Sequence, residues 1–297
     1  MRAYLTGGSG FVGAWLIRHL AEVGDDTVGP GPEVDVTDAA RLVAEVRAAS
    51  PDVVYHLAAL THVGRSWSEP AETFRVNAMG TLNLLEAAAH CAVPPVVVLV
   101  SSAEVYGPAA SAQPIDERAE LRPVTPYAVS KVAADFLGLQ AFLGRGLRVI
   151  RARPFNHVGP GQGDDFVVSA LARRMVEAEL RGSGSVQVGN LAASRDFTDV
   201  RDVVRAYRLL ALNGSPGEVY NVCSGRAVTI EALAQQMAGL LSYEVTLVPD
   251  PALFRPVEVP VLVGDASKLM AVTGWQPAIP LSATLEDVLD YWRERLS

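Results

Sequence analysis

Four polar residues in the sequence have the types and the spacing of a proton-transfer site. Ser102 and Glu104 follow the apolar run VVVLV (96–100), at the point where a buried strand would reach the surface. Tyr127 and Lys131, in the stretch PYAVSK, are four residues apart and would share one face of a helix. An unperturbed tyrosine has a pKa of about 10, and a neighbouring ammonium group would lower it. We therefore predict that Tyr127 exchanges a proton with a substrate oxygen, that Lys131 assists this exchange, and that Ser102 hydrogen-bonds the same oxygen.

A glycine loop precedes the first predicted helix. The stretch TGGSGFVG has glycines at positions 7, 10 and 13. Glycine lets the backbone approach a pyrophosphate closely, and the N-terminus of a helix favours its negative charge. An ordinary tight turn is the alternative, but the position of the loop in a βαβ pattern predicts a dinucleotide site.

The residue at the end of the second strand should determine whether the protein binds NAD or NADP. An acidic residue there would bind the adenosine ribose and repel a 2′-phosphate, and an arginine would do the opposite. After residues 27–28 the chain has GPGP (29–32) instead, and Asp25 and Asp26 come before the strand. Asp35 is predicted to lie near the adenine. The choice of cofactor stays open, with a slight preference for NADPH because no acid opposes the 2′-phosphate.

Short apolar runs alternate with helical patterns along the chain. Strands are predicted at residues 2–5, 53–57, 96–100 and 147–151, and helices at residues 13–23, 77–89, 126–143, 230–241 and 281–295. The strands are apolar on both faces, which is typical of a parallel sheet covered by helices. We predict an α/β fold with a doubly wound Rossmann sheet in residues 1–155, to which segments near 190–225 return. Residues 156–297 should mainly form a smaller α/β lobe that binds the substrate.

Composition narrows the function classes. The chain has 297 residues, of which 49% are hydrophobic, and a formal net charge of −8 without any basic run, which argues against nucleic-acid and membrane-surface binding. It has no signal-peptide pattern and no apolar run near the roughly 20 residues of a spanning helix, so we expect a cytoplasmic protein. Cys91 and Cys223 are predicted to be buried free thiols. No grouping of His, Cys and Asp has metal-ligand spacing, so no metal is expected.

Five motifs, in the order TGGSGFVG, HLAA (56–59), Asn77, VSSAEVYG and YAVSK, resemble the extended short-chain dehydrogenase/reductase family over essentially the whole chain. The resemblance implies a cofactor, NADP(H) or NAD(H), a nucleotide-linked sugar as substrate, and a homodimer formed through a bundle containing the tyrosine helix. It also implies that Ser102, Tyr127 and Lys131 form the catalytic trio. The implied cofactor contacts are Gly7, Gly10, Phe11, Val12, Gly13, Asp35, Val36, Leu57, Ala58, Ala59, Asn77, Tyr127, Lys131, Pro154, Asn156 and His157.

The second half of the chain is similar to the GDP-mannose branch of that family, which contains GDP-mannose 4,6-dehydratases and GDP-4-keto-6-deoxymannose reductases. The similarity lies in ARPFNHVGPGQ, VGNLAASRDFTDVRD, YNVCSG and FRPVEVPVLVGDASKL. It implies that Asn156, Arg195 and Arg255 surround the diphosphate. It implies further substrate contacts by Val188 and Asn190 near the guanine, Glu258 near the ribose, and His62, Ser102, Ala103, Glu104, Val167 and Arg173.

Some of these residues have an alternative interpretation. Arg195 could form a surface ion pair with Asp196, and Arg201 with Asp202, because each arginine precedes an aspartate directly in the sequence. His157 could order its loop and contact no ligand.

Ala103 bears on which reaction the site performs. A 4,6-dehydratase oxidises C4, removes a proton at C5 and expels water from C6, and members of the branch generally carry Thr-Asp-Glu or Thr-Ser-Glu at this strand end. Here the residues are Ser102, Ala103 and Glu104, and alanine can neither donate nor relay a proton. A reductase needs only a hydride, a proton from Tyr127 and a group such as Ser102 that steadies the oxyanion.

The leading prediction is therefore reduction of the C4 ketone of GDP-4-keto-6-deoxy-D-mannose to a GDP-6-deoxyhexose, expected to be GDP-D-rhamnose. Glu104 would hydrogen-bond the substrate or be a relic of a dehydratase ancestor. A dehydratase that replaces the missing acid by another residue or by water stays open, as does a 4-epimerase with no net redox change. A non-catalytic nucleotide sensor is disfavoured because Tyr127 and Lys131 are both present. The stereochemistry at C4 is not fixed by the sequence.

Overall fold

The structure is a computed structural model that describes residues 1–28, 35–108, 113–253 and 259–297. Three parts of the predicted site lie outside these residues. They are the cofactor-selecting stretch 29–32, Arg255 and Glu258.

Strands and helices alternate through the first half of the chain. In chain order the strands are β1 (Arg2–Thr6), β2 (Asp26–Val28), β3 (Val53–His56), β4 (Val96–Val100), β5 (Val149–Pro154), β6 (Asn156–Val158), β7 (Ser185–Val188), β8 (Ser194–Asp199), β9 (Val219–Val222), β10 (Ala227–Thr229), β11 (Thr246–Pro249) and β12 (Val261–Leu262). The α-helices are α1 (Phe11–Glu22), α2 (Ala39–Ala49), α3 (Val63–Ser68), α4 (Pro70–Phe74), α5 (Gly80–Ala89), α6 (Pro126–Arg145), α7 (Val167–Arg181), α8 (Val200–Asn213), α9 (Ile230–Ala238), α10 (Ser267–Thr273) and α11 (Leu281–Leu296). A π-helical turn spans Arg75–Met79, and 3₁₀ turns span Ala103–Tyr106 and Pro251–Leu253.

A parallel sheet in the order β2-β1-β3-β4-β5-β9 forms the centre of the protein. Its inner strands are almost wholly buried because helices cover both faces, with α1 and α8 on one side and α2, α5 and α6 on the other. The strand order reverses at β1, whose neighbours are β2 and β3. The carboxyl ends of β1 and β3 therefore border the crevice where a doubly wound sheet binds its ligand. The predicted α/β Rossmann fold is confirmed.

A second layer of short strands is built around β8. This strand pairs in parallel with β6 and β12 and antiparallel with β10, while β7 and β11 form a separate parallel pair. Helices α7, α9 and α11 close the core of this lobe. β5 ends at Pro154 and β6 begins at Asn156, and the chain later returns to the first sheet through α8 and β9. The division into two domains at residue 155 stays a prediction.

The tyrosine helix α6 has strong local start signals. Thr125 caps it, since its hydroxyl accepts a 3.0 Å hydrogen bond from the backbone N–H of Ala128. Pro126 occupies the first helical position, where no N–H is needed. Because the cap fixes where the helix starts, it also fixes the positions of Tyr127 and Lys131 near its N-terminus.

Several predicted boundaries are wrong. The helix predicted for 77–89 begins as the π-helical turn Arg75–Met79, and the carbonyl of Asn77 accepts a hydrogen bond from the Thr81 hydroxyl. Asp26 lies inside β2 rather than before it, and β5 begins two residues later than predicted, at Val149. Cys223 is a buried free thiol as predicted, but Cys91 is only partly buried.

No helix among the described residues is long and apolar enough to cross a membrane.

Candidate active site

The glycine loop joins β1 to α1 in a conformation that requires glycine. Gly7 has a φ of +74°, and a Cβ there would lie 2.7 Å from the backbone nitrogen of Ala58. A Cβ on Gly13 would lie 2.3 Å from the carbonyl oxygen of Gly7. The turn closes through a 3.1 Å hydrogen bond from the N–H of Gly10 to that same oxygen. The loop thus holds the N-terminus of α1, with the partly buried Phe11 and Val12, ready for a pyrophosphate, and these residues fit a dinucleotide.

Hydrogen bonds among buried polar side chains support the glycine loop. The hydroxyl of Thr6 accepts a hydrogen bond from the backbone N–H of Ala58 and lies 2.7 Å from Nδ1 of His56. The other ring nitrogen of His56 lies 3.0 Å from the Thr81 hydroxyl. Burial lowers the pKa of His56 to about 3, so the ring is neutral. Thr6 and Thr81 were not predicted as site residues, although polar residues within apolar β1 and α5 were an available signal.

Asn77 connects the segment after β3 to the tyrosine helix. Its side-chain amide donates to the carbonyl of Leu60 and to the Ser130 hydroxyl, and its Oδ1 accepts from the N–H of Leu60 at 2.7 Å. The contacts of Asn77 in the structure are therefore internal, and they fix the position of Leu57, Ala58 and Ala59 beside the glycine loop. A cofactor contact by Asn77 itself stays a prediction.

Asp35 and Val36 lie between β2 and α2, before the helix of the second crossover. The Asp35 carboxylate is exposed and accepts hydrogen bonds from the hydroxyl and the N–H of Thr37, which lower its pKa. Val36 is only 3% exposed and packs into the core, and its carbonyl accepts a 3.0 Å hydrogen bond from the Asn83 side chain. Both assignments stay predictions.

Ser102 and Tyr127 come together at the carboxyl edge of the sheet. Ser102 directly follows Ser101 at the end of β4 and is 8% exposed, and Tyr127 is 7% exposed. The pKa of Tyr127 is raised to about 12, mainly by burial; a hydrogen bond with Ser102 opposes the rise and the negative charge of Glu104 contributes to it. Lys131 does not contribute to the pKa of Tyr127 in the protein alone, and a lowering by Lys131 together with a nicotinamide cation stays a prediction. Burial dominates, and the sequence spacing that suggested a lysine effect carries no information about burial.

Lys131 is held by the strand rather than by the tyrosine. Its ammonium group donates a 2.8 Å hydrogen bond to the carbonyl of Val100 and the residue is 6% exposed. Burial lowers the pKa of Lys131 to about 8, and the charge of Asp135, one turn further along α6, opposes this. Asp135 is fully buried and accepts hydrogen bonds from Arg151 at 2.7 Å and from Arg153 at 2.9 Å. Asp135 was not predicted as a site residue, although a carboxylate on the inner face of α6 was an available signal.

Ala103 and Glu104 form the first turn after Ser102. The methyl group of Ala103 is 2% exposed and packs into the core cluster with Val105 and Tyr106. Glu104 is partly buried, and its backbone N–H donates to the Ser102 hydroxyl at 3.2 Å. The position next to Ser102 thus contributes an apolar group that faces the protein interior.

Three predicted contacts lie at the end of β5 and the start of β6, and one of them, His157, contacts Phe11 at the start of α1. Pro154 is buried, Asn156 pairs with Phe197 in the second layer, and the ring of His157 stacks on Phe11 with centroids 6.2 Å apart. Nδ1 of His157 lies 3.2 Å from the Phe155 carbonyl. These contacts agree with the interpretation that His157 orders its loop.

Other predicted substrate contacts are spread over the second lobe and its rim. His62 caps α3 and is 43% exposed, with Nε2 3.9 Å from Asp165 Oδ1. Val167 begins α7, Val188 is fully buried at the end of β7, and Asn190 accepts a hydrogen bond from the N–H of Ala192. These assignments stay predictions, and a contact of Val188 with guanine could not use its side chain.

The arginines have specific partners. Arg173 pairs with Asp164 and with Glu177. Arg195 is 8% exposed and Asp196 is fully buried, so a surface ion pair between them is ruled out. Nη1 of Arg195 donates to the carbonyl of Val259 at 2.7 Å.

Among the described residues, no group of three or more His, Cys, Asp and Glu could hold a metal ion.

The fold and the site together define a dinucleotide-binding enzyme of the short-chain dehydrogenase/reductase type. Residues 32–288 match the family described as GDP-mannose 4,6 dehydratase. The chain is 39% identical over 300 residues to a GDP-6-deoxy-D-mannose reductase from Pseudomonas aeruginosa, covering 99% of this chain and 98% of that protein. It is 30% identical over 278 residues to a GDP-6-deoxy-D-talose 4-dehydrogenase from Aggregatibacter actinomycetemcomitans, covering 92% of each.

A solved structure also shows the similarity to this family. The structure of RMD from Pseudomonas aeruginosa complexed with NADPH matches this chain with a TM-score of 0.92 at 39% identity and 99% coverage of both chains. The chain therefore belongs to the GDP-mannose 4,6-dehydratase family, and the predicted membership of this branch is confirmed.

Proposed function

We propose that this protein reduces the C4 ketone of GDP-4-keto-6-deoxy-D-mannose with NADPH and forms a GDP-6-deoxyhexose, GDP-D-rhamnose. The observation that carries the proposal is Ala103, whose buried methyl group stands between Ser102 and Glu104. An elimination of water across C5 and C6 needs an acid beside the base, and this position has none. The similarity to a protein named GDP-6-deoxy-D-mannose reductase supports the same choice.

The residues supply the proton chemistry of a reduction. The pKa of Tyr127 is raised to about 12, so the phenol is neutral at pH 7 and holds the proton that the C4 oxygen requires. Ser102, already hydrogen-bonded to Tyr127, steadies that oxygen as its negative charge develops. Bound NADPH would supply the hydride to C4. Hydride and proton together convert the ketone to a hydroxyl group.

The cofactor is assigned to the glycine loop and its surroundings. The close backbone packing at Gly7 and Gly13 fixes the turn that leads into α1, and the pyrophosphate would bind at the N-terminus of that helix. NADPH is preferred because the structure similar to this chain along its whole length carries it. Around the GDP moiety we propose that Asn156, Arg195 and Arg255 bind the diphosphate, because arginines form charge-assisted bonds to phosphate.

A coupled redox assay tests the reaction. A separate dehydratase generates the 4-keto sugar from GDP-mannose, and NADPH consumption is followed at 340 nm after this protein is added. Consumption in step with a new GDP-6-deoxyhexose is expected, and nuclear magnetic resonance of the product distinguishes the rhamno from the talo configuration. Tyr127→Phe should abolish nearly all turnover and leave NADPH binding intact. Conversion of GDP-mannose itself to the 4-keto sugar, without NADPH consumption, would make the protein a dehydratase.

We further propose a homodimer formed through α6. Val129 and Phe136 on this helix are 45% and 52% exposed, and Phe74 and Met79 on the neighbouring segments are 42% and 45% exposed. Four large apolar side chains on adjoining elements are typical of an interface. Light scattering should give twice the chain mass, and Phe136→Glu should give monomers. Leu180→Glu, at an equally exposed apolar residue on α7, is the control that should stay dimeric.

The proposed location is the cytoplasm. Cys91 and Cys223 are both free, which suits a reducing compartment. Fractionation of cells that produce the protein tests this.

A further inference from the structure

One tryptophan connects the dinucleotide-binding helix to the second lobe. Trp15 lies on α1, one turn after Phe11, and its indole N–H donates a 2.9 Å hydrogen bond to the carbonyl of Pro160. Pro160 belongs to the segment 156–162, which begins with β6 and leads into the substrate lobe. A hydrogen bond thus joins the helix that begins at the glycine loop to a residue 145 positions further along the chain.

Two arginines enclose the ring of Trp15. The guanidinium carbon of Arg18 lies 4.5 Å from the ring centroid and that of Arg201 lies 5.9 Å from it. Arg201 is fixed in turn by Asp199 and by Asp287, each at 2.7 Å. The ring therefore also contacts the start of α8 and, through Arg201, helix α11.

The segment 156–162 has little freedom to move away. His157 stacks on Phe11, and a Cβ on Gly159 would lie 2.6 Å from Cγ1 of Val200 and 3.7 Å from Cζ of Phe11. The side-chain amide of Gln162 donates to the carbonyl of His157 at 3.0 Å. Helix α1 therefore contacts this segment at two places, through Phe11 and through Trp15.

We propose that Trp15 is a positioning residue that fixes the segment 156–162 against the dinucleotide-binding helix and so sets how the substrate lobe meets the cofactor. The proposal rests on the proposed function only for its kinetic consequence. Trp15 itself is too far along α1 to touch the pyrophosphate, because it follows the first helical turn. Its loss should displace Asn156, which is assigned to the diphosphate, while the glycine loop stays in place. Substrate affinity should therefore fall more than cofactor affinity.

A matched pair of tryptophan variants tests this. Trp275 makes the same type of bond, from its indole N–H to the carbonyl of Asp202 at 2.9 Å, but is fully buried in the core beside α8. Trp15→Phe and Trp275→Phe each remove one neutral hydrogen bond and keep an aromatic ring. We expect Trp15→Phe to raise the KM for the sugar nucleotide by about two- to tenfold, with the NADPH Kd changed less than about twofold. Trp275→Phe should lower the melting temperature and leave both constants unchanged.

Hydrogen exchange provides a readout that needs no substrate. In Trp15→Ala the amides of residues 156–162 should exchange faster than in the wild type, and in Trp275→Phe they should not. An unchanged KM in Trp15→Phe, or equal exchange of residues 156–162 in wild type and Trp15→Ala, would overturn the proposal. If the wild type does not reduce the keto sugar, the proposed function fails, and the exchange experiment still decides whether Trp15 fixes the segment.

Discussion

Activity should fall in alkaline solution because Lys131 loses its proton unusually early. Burial lowers the pKa of Lys131 from 10.5 to about 8, so the ammonium form disappears as the pH rises through 8. Tyr127 does not ionise in this range, because burial raises its pKa to about 12. His56, with a pKa lowered to about 3, stays neutral throughout. Lys131 is therefore the group expected to control the alkaline limb.

The size of the effect follows from the pKa of Lys131. With a value of about 8, roughly nine-tenths of the lysine is charged at pH 7 and roughly one-tenth at pH 9. If only the charged form is active, kcat/KM should fall about tenfold between these two pH values, with a limiting slope of −1. A lysine with its ordinary pKa would lose less than about one-tenth of its charge over the same range.

The assay is kcat/KM for NADPH between pH 6.5 and 10, since this parameter reports the ionisation of the free enzyme. Circular dichroism at each pH checks that the protein stays folded. Lys131→Arg is the control, because arginine keeps its charge throughout and its residual activity should show no alkaline limb. A wild-type profile that is flat to pH 10, or a limb that persists in Lys131→Arg, would refute the assignment.

Three further substitutions test the parts that position the site. Gly7→Ala, with a φ of +74° and a Cβ 2.7 Å from the nitrogen of Ala58, should weaken NADPH binding at least about tenfold by titration calorimetry, and an unchanged Kd would contradict the loop geometry. Thr125→Ala should lower the free energy of unfolding in urea by about 1 kcal/mol because the cap of α6 is lost, whereas Thr125→Ser should retain most of it. Asp135→Asn leaves two buried arginines without their countercharge and should cost about 3–5 kcal/mol in the same measurement, and a loss below about 1 kcal/mol would show that the network is not needed for stability.

Local patterns predicted the parts of the site that depend on neighbouring residues. The loop between β1 and α1 could be predicted because the strand, the glycines and the helix follow one another within a single crossover. The proximity of Tyr127 and Lys131 could be predicted because a spacing of four residues places two side chains on one helix face. The parallel sheet followed from strands that are apolar on both faces.

Contacts between residues far apart in the chain could not be predicted from the sequence. The bond between Trp15 and Pro160 joins residues 145 positions apart, and no spacing rule connects them. Asn77 was assigned to the cofactor from a motif, and only the structure reveals that its amide connects Leu60 to Ser130. The π-helical turn around Asn77 could not be predicted either, because its five residues are too few to show a period of their own.

The raised pKa of Tyr127 sets a cost that the bound ligands must offset. A pKa of about 12 means that forming the phenolate at pH 7 costs roughly 7 kcal/mol in the surroundings that the protein provides. A reaction that begins by oxidising a C4 hydroxyl needs that phenolate as its base, so it must offset the cost with positive charge brought by a ligand. A reduction meets the same cost in the opposite order, because the phenol that gives its proton to the C4 oxygen becomes the phenolate. The pKa of Tyr127 is therefore compatible with either direction, and both reactions need positive charge near this oxygen. Ala103 is the residue that distinguishes them, because it removes the acid that a dehydratase would need after its oxidation step.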